Sequence, residues 1–391
     1  MDLRFSPDEE AFRAELRAWL AANQPPDPGE HATLADEVAF LRAWQRTLAA
    51  AGWVGIHWPR AYGGRGASVV ENYLFQEEMA SARAPEIIGR IGVNLVGPTL
   101  IAHGTEEQKR RFLPPIMPAE EIWCQLFSEP GAGSDLTALR TRAERRGDGW
   151  IVNGQKVWTS YAQFARWGIL LARTDPSAPK AKGISFFLCD MTQPGVTVRP
   201  LRQMTGGEEF NEVFLEDVFV PREHLVGTEH DGWRIANTTL THERGTSPRQ
   251  LVINRMLLDD LLRLARAGVG GRRAAAEPGI RQRLAQHLIE VEITKLNNWR
   301  TLTRIERKLP LGPEASFVKL FWSEMSQRIH DTLMDVLGPY GQCWQPGPYA
   351  VAGGRLVRSY LYYRAASLFA GTSEIQRNIL AERVLGLPRS R

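Results

Sequence analysis

Cysteine is scarce in this chain. Only Cys124, Cys189 and Cys343 occur in 391 residues, widely spaced and with no Cys-x-x-Cys pair. That excludes a disulfide framework or a thiolate zinc site and points to a reducing compartment. Long apolar runs are missing too. No stretch approaches the ~20 residues that cross a bilayer, so no membrane partner is expected. Acidic residues stand near the N-terminus where a secretory leader would be basic, and the expectation is a soluble, cytoplasmic protein. Charge of one sign is in short supply: 48 Lys and Arg face 44 Asp and Glu, a net +4. So small an excess predicts no nucleic-acid partner; it is compatible with solubility alone or with a phosphorylated ligand. His57, His103, His242 and His287 form no cluster at metal-ligand spacing, so no metal is expected. No internal repeat is evident.

What is present is an ordinary globular composition, 43% hydrophobic and 24% charged, long enough for one large core or two to three smaller ones. The chain opens as helix. Ser6-Pro7-Asp8-Glu9 joins an N-cap serine, a proline at the first helical position and a glutamate at capping-box spacing. Phe12, Leu16, Trp19 and Leu20 then recur on one face, and the proline-rich run 24–29 ends the helix. Further helices are expected to about residue 120, interrupted by the glycines of 62–66.

From about Trp123 the period shortens. Asn153-Gly154 between apolar runs predicts a hairpin turn. Strands are expected at 169–171, 184–188, 196–198 and 213–220, with turn residues at short intervals, as in a barrel or sandwich. After Gly232 the helical period returns. Leu284, Leu288, Val291, Lys295, Trp299 and Leu302 trace one stripe, and Val318, Phe321, Met325, Ile329 and Val336 another. Between them and the preceding helix, 268–279 reads as a mobile Gly/Ala/Arg-rich loop. The final helix is marked by Ser373 and Gln376 at capping-box spacing and by Gly386 and Pro388 past its end. The glycines of 89–97 are compatible with room for a bulky ligand and equally with a close helix contact.

Three motifs carry chemistry. Phe127-Ser128-Glu129-Pro130-Gly131-Ala132-Gly133-Ser134-Asp135 is a Gly-rich loop with hydroxyls near both ends, suited to bring donors against a polarised ligand. Val157-Trp158-Thr159-Ser160 sets an indole beside hydroxyls. Gly371-Thr372-Ser373-Glu374-Ile375-Gln376-Arg377 stands near the C-terminus. Together they resemble the acyl-CoA dehydrogenase family over nearly the whole chain.

The resemblance implies a mainly helical fold with a middle β domain: an N-terminal helical domain (1–122), a small β-barrel (123–229) and a C-terminal four-helix bundle (230–391), with flavin between the last two. It implies FAD as cofactor, contacted by Gln125, Phe127, Ser128, Ser134, Trp158, Ser160, Thr372 and Glu374. Trp158 would pack against the isoalloxazine. Ser160 would bond near its N5–O4 edge, where the family often has threonine. Ser134 and Gly371 would also touch substrate. Many members carry a catalytic glutamate just before the Gly-Thr, but here that position is Ala370. A second group, like the isovaleryl and long-chain branches, holds the base in a Glu-Arg pair early in the last domain, and this chain has Glu243-Arg244 there. Glu243 is accordingly the expected base, also in contact with substrate, with its pKa raised by burial. Arg244 is the expected orienting residue, and the backbone N–H of Ala370 an oxyanion donor, which survives the change from glutamate to alanine.

The implied reaction is α,β-dehydrogenation of an acyl-CoA thioester to a 2,3-enoyl-CoA, as in the β-oxidation of fatty acids, with an electron-transfer flavoprotein as acceptor and a dimer or tetramer as the assembly. Two departures qualify the likeness. The 268–279 stretch has arginines but no phenylalanine where the family has Arg-x-x-Phe-Gly, and Asp335-Val336-Leu337-Gly338-Pro339-Tyr340-Gly341 replaces Gln-x-x-Gly-Gly-x-Gly. Both normally reach the neighbouring subunit's flavin. Pairing with a different chain, as in steroid side-chain dehydrogenases, is therefore a second expectation. A flavin oxidase or monooxygenase on the same fold is a third.

Overall fold

The computed structural model describes residues 4–27, 29, 31–241, 248–309, 312–313 and 315–388. Its helices begin with α1 (Pro7–Ala22), α2 (Leu34–Ala50), α3 (Val69–Ser81), α4 (Gly97–His103) and α5 (Glu106–Phe112). The strands follow: β1 (Trp123–Leu126), β2 (Arg142–Arg146), β3 (Gly149–Ser160), β4 (Trp167–Arg173), β5 (Ile184–Asp190), β6 (Val196–Leu201), β7 (Phe210–Pro221) and β8 (Leu225–Val226). Then come α6 (Gly232–Thr241), α7 (Pro248–Ala267), α8 (Pro278–Glu306), α9 (Ala315–Leu337), α10 (Arg355–Tyr363) and α11 (Ser373–Arg383). Helical ends around a β middle are the expected class. The chain divides into two compact units, residues 25–68 with 84–243, and residues 1–24, 69–83 and 244–391.

In the first of these units the strands run in the order β6-β7-β3-β2-β4-β5-β8, and β1 adds to β4 in parallel. Every second residue of β3 faces inward, so Trp150 and Val152 pack with Val213, Leu215 and Val218 of β7 in a core shared with Phe187 of β5. The expected strands are all present. The expected hairpin is not at Asn153-Gly154. The chain reverses at residues 147–148, where Arg146 pairs with Gly149, and Asn153-Gly154 lies inside β3 at a register shift against β7. Two physical reasons account for this. Asn153 bonds across the sheet to Asp217 at 3.0 Å instead of closing a turn, and a Cβ on Gly154 would stand 2.4 Å from Thr141 Oγ1. Close packing also explains Gly97, where a Cβ would meet the Trp58 ring at 1.8 Å.

In the second unit, α1 starts as read. Ser6 Oγ accepts the Glu9 N–H and the Glu9 carboxylate accepts the Ser6 N–H at 2.7 Å. Phe12, Leu16 and Leu20 are buried, and Arg13 and Arg17 of α1 grip the buried Glu78 of α3 at 2.5 and 2.8 Å. Helices α7 to α11 form the bundle, with Leu258, Leu261, Met325, Ile329 and Leu333 fully buried. The stripe read on α9 is its buried face. That on α8 is corrected. Leu288 is exposed and so is Lys295, while His287, Glu290, Thr294 and Asn298 sit inside beside Leu284 and Val291. Polar side chains are admitted because they pair: His287 Nε2 with Thr332 Oγ1 at 2.8 Å and Glu290 with Arg328 at 3.1 Å. Residues 268–279 are a defined turn, with Val269 and Arg272 exchanging backbone hydrogen bonds at 3.0 Å and Ala274 buried.

His330 of α9 gives this bundle a pH signature. Its Nδ1 donates to the Ser326 carbonyl at 2.7 Å, so Nε2 must accept the Ser359 hydroxyl at 2.8 Å in the neutral ring. Burial pushes its pKa from 6.5 down to about 4. The unfolded chain therefore binds a proton that the folded one refuses. Stability from neutral His330 is complete above pH 6.5 and is lost as the pH falls toward 4, by up to ~3 kcal/mol. Urea unfolding measured across that range should show the loss, and His330→Asn should reduce the slope; an unchanged slope contradicts the assignment.

Candidate functional site

The Gly-rich loop leaves the end of β1. Gln125 is half-buried on that strand opposite Ile169. The Phe127 side chain is buried edge-on against Phe186 at 5.9 Å, so at this position the main chain faces the loop. Ser128 is half-buried, and no hydrogen bond to its Oγ is present among the described residues. Its carbonyl accepts the Val157 N–H at 2.9 Å, and Glu129 and Ala132 exchange backbone bonds at 3.0 Å to close the turn. Ser134 is exposed at the far side of that turn.

Strand β3 presents the indole. The register against β7 shifts between Lys156 and Thr159, and Trp158 occupies the bulge with φ +60°. A left-handed conformation in a bulky residue persists only where its surroundings enforce it. The result is a tryptophan 61% exposed on an otherwise rigid strand, touched edge-on by Phe210. Ser160 lies half-buried two residues on, paired in register with Phe210.

Beneath loop and strand is a buried ion pair that the sequence reading passed over. Lys156 Nζ is wholly enclosed and donates to Glu129 Oε1 at 2.8 Å, the Leu171 carbonyl at 2.8 Å and the Phe127 carbonyl at 3.2 Å. Glu129 in turn accepts the backbone N–H groups of Arg140 at 2.6 Å and Thr141 at 2.9 Å. Burial drives the Lys156 pKa down to about 8 against the pull of Glu129. Burial would raise the Glu129 carboxyl, but the Lys156 charge and these hydrogen bonds hold it below the ordinary range. One signal was available: Lys156 keeps the inward parity of Trp150 and Val152.

In the other unit, the chain turns sharply before α11. Ala370 has φ +52° and Gly371 φ +85°. Gln376, buried in the first turn of the helix, donates Nε2 back to both carbonyls, at 3.3 Å for Ala370 and 3.4 Å for Gly371. The carbonyls are thus occupied, while the N–H groups of Ala370 and Gly371 have no acceptor among the described residues. The cap differs from expectation. Thr372 is the N-cap, its hydroxyl accepting the Ile375 N–H at 3.2 Å, so Ser373 is already helical and Gln376 braces the turn instead of closing a capping box. A threonine one residue upstream has the β-region φ and ψ that a cap requires. Glu374 is exposed in the first turn of α11. Glu243 and Arg244 lie outside the described residues, just beyond the end of α6.

These features suit the group that the motifs imply. In the first unit an exposed indole offers a flat apolar face, and the unengaged Ser128 hydroxyl is a donor for carbonyl oxygens. That donor set fits a flavin, whose ring is planar and rich in carbonyl acceptors.

Comparison with known proteins bears on the whole chain. Models of the acyl-CoA dehydrogenase N-terminal, middle and C-terminal domains match residues 6–120, 124–218 and 230–385. The chain is 43% identical over 392 residues to acyl-CoA dehydrogenase IpdE1 of Mycobacterium tuberculosis, covering 98% of each. Among solved structures it resembles the Tcur3481-Tcur3483 steroid ACAD, with 32% identity, full coverage of both chains and a TM-score of 0.86. It likewise resembles the ChsE4-ChsE5 complex from Mycobacterium tuberculosis, with 34% identity, full coverage and a TM-score of 0.86. On the motifs, the fold and these matches together, the chain belongs to the acyl-CoA dehydrogenase family, oxidoreductases that work with FAD.

Proposed function

We propose that this member abstracts the α-proton of an acyl-CoA thioester with Glu243 and yields the 2,3-enoyl-CoA. The reading rests above all on the Ala370–Gly371 turn. The Ala370 side chain is a methyl group, so no base stands there, yet its N–H has no acceptor among the described residues and its carbonyl is held by Gln376. A position that keeps the donor and lacks the carboxylate suits oxyanion stabilisation, with proton removal assigned elsewhere. The Glu243-Arg244 pair is the carboxylate that the family pattern offers in its stead, and Arg244 is assigned to orient it.

The assigned roles follow from charge. As Glu243 takes the proton, negative charge develops on the thioester oxygen, and the Ala370 N–H donates to it. Trp158 gives the cofactor an apolar face and keeps water from it. Ser128 and Ser160 supply hydroxyl donors, Gln125, the Phe127 main chain, Thr372 and Glu374 complete the cofactor contacts, and Ser134 and Gly371 border the substrate. FAD, when bound, supplies the two-electron acceptor for the β-hydrogen. The domain limits 1–122, 123–229 and 230–391, a cytoplasmic location and an electron-transfer flavoprotein as acceptor belong to the same proposal. Among the described residues no helix is long and apolar enough to cross a membrane.

A second reading, assembly with a different chain, has its own support. Arg272 is already engaged by Glu277 and by the Asp335 carbonyl at 2.7 and 2.8 Å, and Arg283 by the Asp335 carboxylate at 2.5 Å. Pro339 also removes a backbone donor from the segment that replaces the family's Gly-rich one. The groups that would serve a neighbour's cofactor are thus bound internally, and two similar structures carry paired names, the Tcur3481-Tcur3483 steroid ACAD and the ChsE4-ChsE5 complex.

Glu243→Gln should retain bound FAD and lose substrate-dependent bleaching of the flavin by roughly two or more orders of magnitude; bleaching at the normal rate rejects Glu243. Gln376→Ala frees the turn and should lower kcat about tenfold or more with FAD content unchanged; an unchanged kcat contradicts the bracing role. The chain purified alone should carry substoichiometric FAD by absorbance and fill on mixing with a complementary, non-identical subunit. A fully loaded homo-oligomer on size-exclusion chromatography excludes that second reading.

A further inference from the structure

We infer that the buried Glu129–Lys156 ion pair is a positioning device that fixes the cofactor-facing loop at Ser128 against the bulge that presents Trp158. The inference deepens the proposed function and rests on it, because it assumes that these two residues meet the flavin.

The connectivity carries the argument. Residues 127–129 and 156–157 are tied three times: Lys156 Nζ to the Phe127 carbonyl, Lys156 Nζ to the Glu129 carboxylate, and the Val157 N–H to the Ser128 carbonyl at 2.9 Å. The ties flank Ser128 on both sides and end one residue short of Trp158. All three ammonium protons are used, the third on Leu171 of the neighbouring β4. Glu129 also gathers the N–H groups of Arg140 and Thr141, where the loop rejoins the sheet. One ion pair thus ties the start of the loop at 127–129 and its return at 140–141 to β3.

Its location adds a second strand of support. Lys156 is the last residue in regular register before the bulge. Strained backbone such as Trp158 at φ +60° needs a surround that over-determines it. A buried ion pair is in general a poor source of net stability, since desolvating both charges offsets their attraction. A fixed geometry is what such a pair does provide when every donor and acceptor is satisfied. Lys156 is fully enclosed and Glu129 nearly so, each with its polar atoms engaged by protein, so both are positioning residues and not catalytic ones.

The test uses the full chain, with the single variants Glu129→Gln and Lys156→Met and the double variant. The double variant removes both charges together, a change that buried pairs commonly tolerate, and keeps an amide oxygen for one of the two N–H groups of Arg140 and Thr141. Hydrogen exchange in the cofactor-free chain reads the clamp itself: the Val157 amide and loop 128–135 should exchange about tenfold faster or more in all three variants. Titration with FAD reads its purpose. The dissociation constant should rise about tenfold or more, and the visible circular dichroism of bound flavin should change while far-ultraviolet dichroism does not. Unchanged exchange in the double variant overturns the clamp. Faster exchange with wild-type FAD affinity and dichroism reduces the pair to support of the fold and also overturns it. Faster exchange in a chain whose wild type takes up no FAD even with the complementary subunit it requires leaves the clamp standing and overturns the assignment of the site.

Discussion

A charged nitrogen sealed inside a β-sheet must find a complete set of acceptors, or the chain does not fold around it. Lys156 finds one carboxylate and two carbonyls. Because two of the three belong to residues 127 and 129, satisfying that nitrogen determines where Ser128 sits. The bulge that exposes Trp158 follows at once in sequence, so hydroxyl and indole share one foundation. The start and the return of the Gly-rich loop are thereby anchored to the sheet through Glu129. Fixed donors, needing no reorganisation at the moment of reaction, are what electrostatic stabilisation requires.

The other unit solves a similar problem by different means. At Ala370–Gly371 no charge is buried. A glutamine side chain takes two carbonyls at a turn with left-handed φ values, and the two N–H groups there have no acceptor among the described residues. Alanine in this conformation is strained, whereas glycine beside it is not. A strained alanine two residues before a helix N-cap is consistent with a turn valued for its backbone, whichever side chain it bears. The bundle behind it tolerates His287, Glu290 and His330 because each is paired, and burial favours the neutral form of His330.

Much of this was legible in the sequence. The capping box at Ser6 and Glu9, the long strands and the α9 stripe follow from local chemistry and periodicity, and the family follows from three motifs. The failures are informative. Asn153-Gly154 carries a hairpin signature, but tertiary contacts with Asp217 and Thr141 override it. Leu288 and Lys295 continue a helical period on α8 that the core does not use, since polar pairs occupy the buried face instead. The cap of α11 moved one residue because Thr372 and Ser373 are chemically alike and only backbone geometry separates them. Lys156 carries no motif signature, and Gln376 reads in the sequence as a capping residue. Their roles depend on partners 27 and 6 residues away, which no local pattern reports.

The central claim is that the loop, the indole and the Ala370 donor serve a flavin that oxidises a thioester. It is tested most directly by mixing the wild-type chain, loaded with FAD and together with any subunit it requires, with a panel of saturated acyl-CoAs in the absence of oxygen. The account predicts loss of the oxidised flavin's visible absorbance and appearance of the matching 2,3-enoyl-CoA, two mass units lighter, by mass spectrometry. Flavin that stays oxidised with every thioester, or turnover only in air with hydrogen peroxide as product, contradicts it.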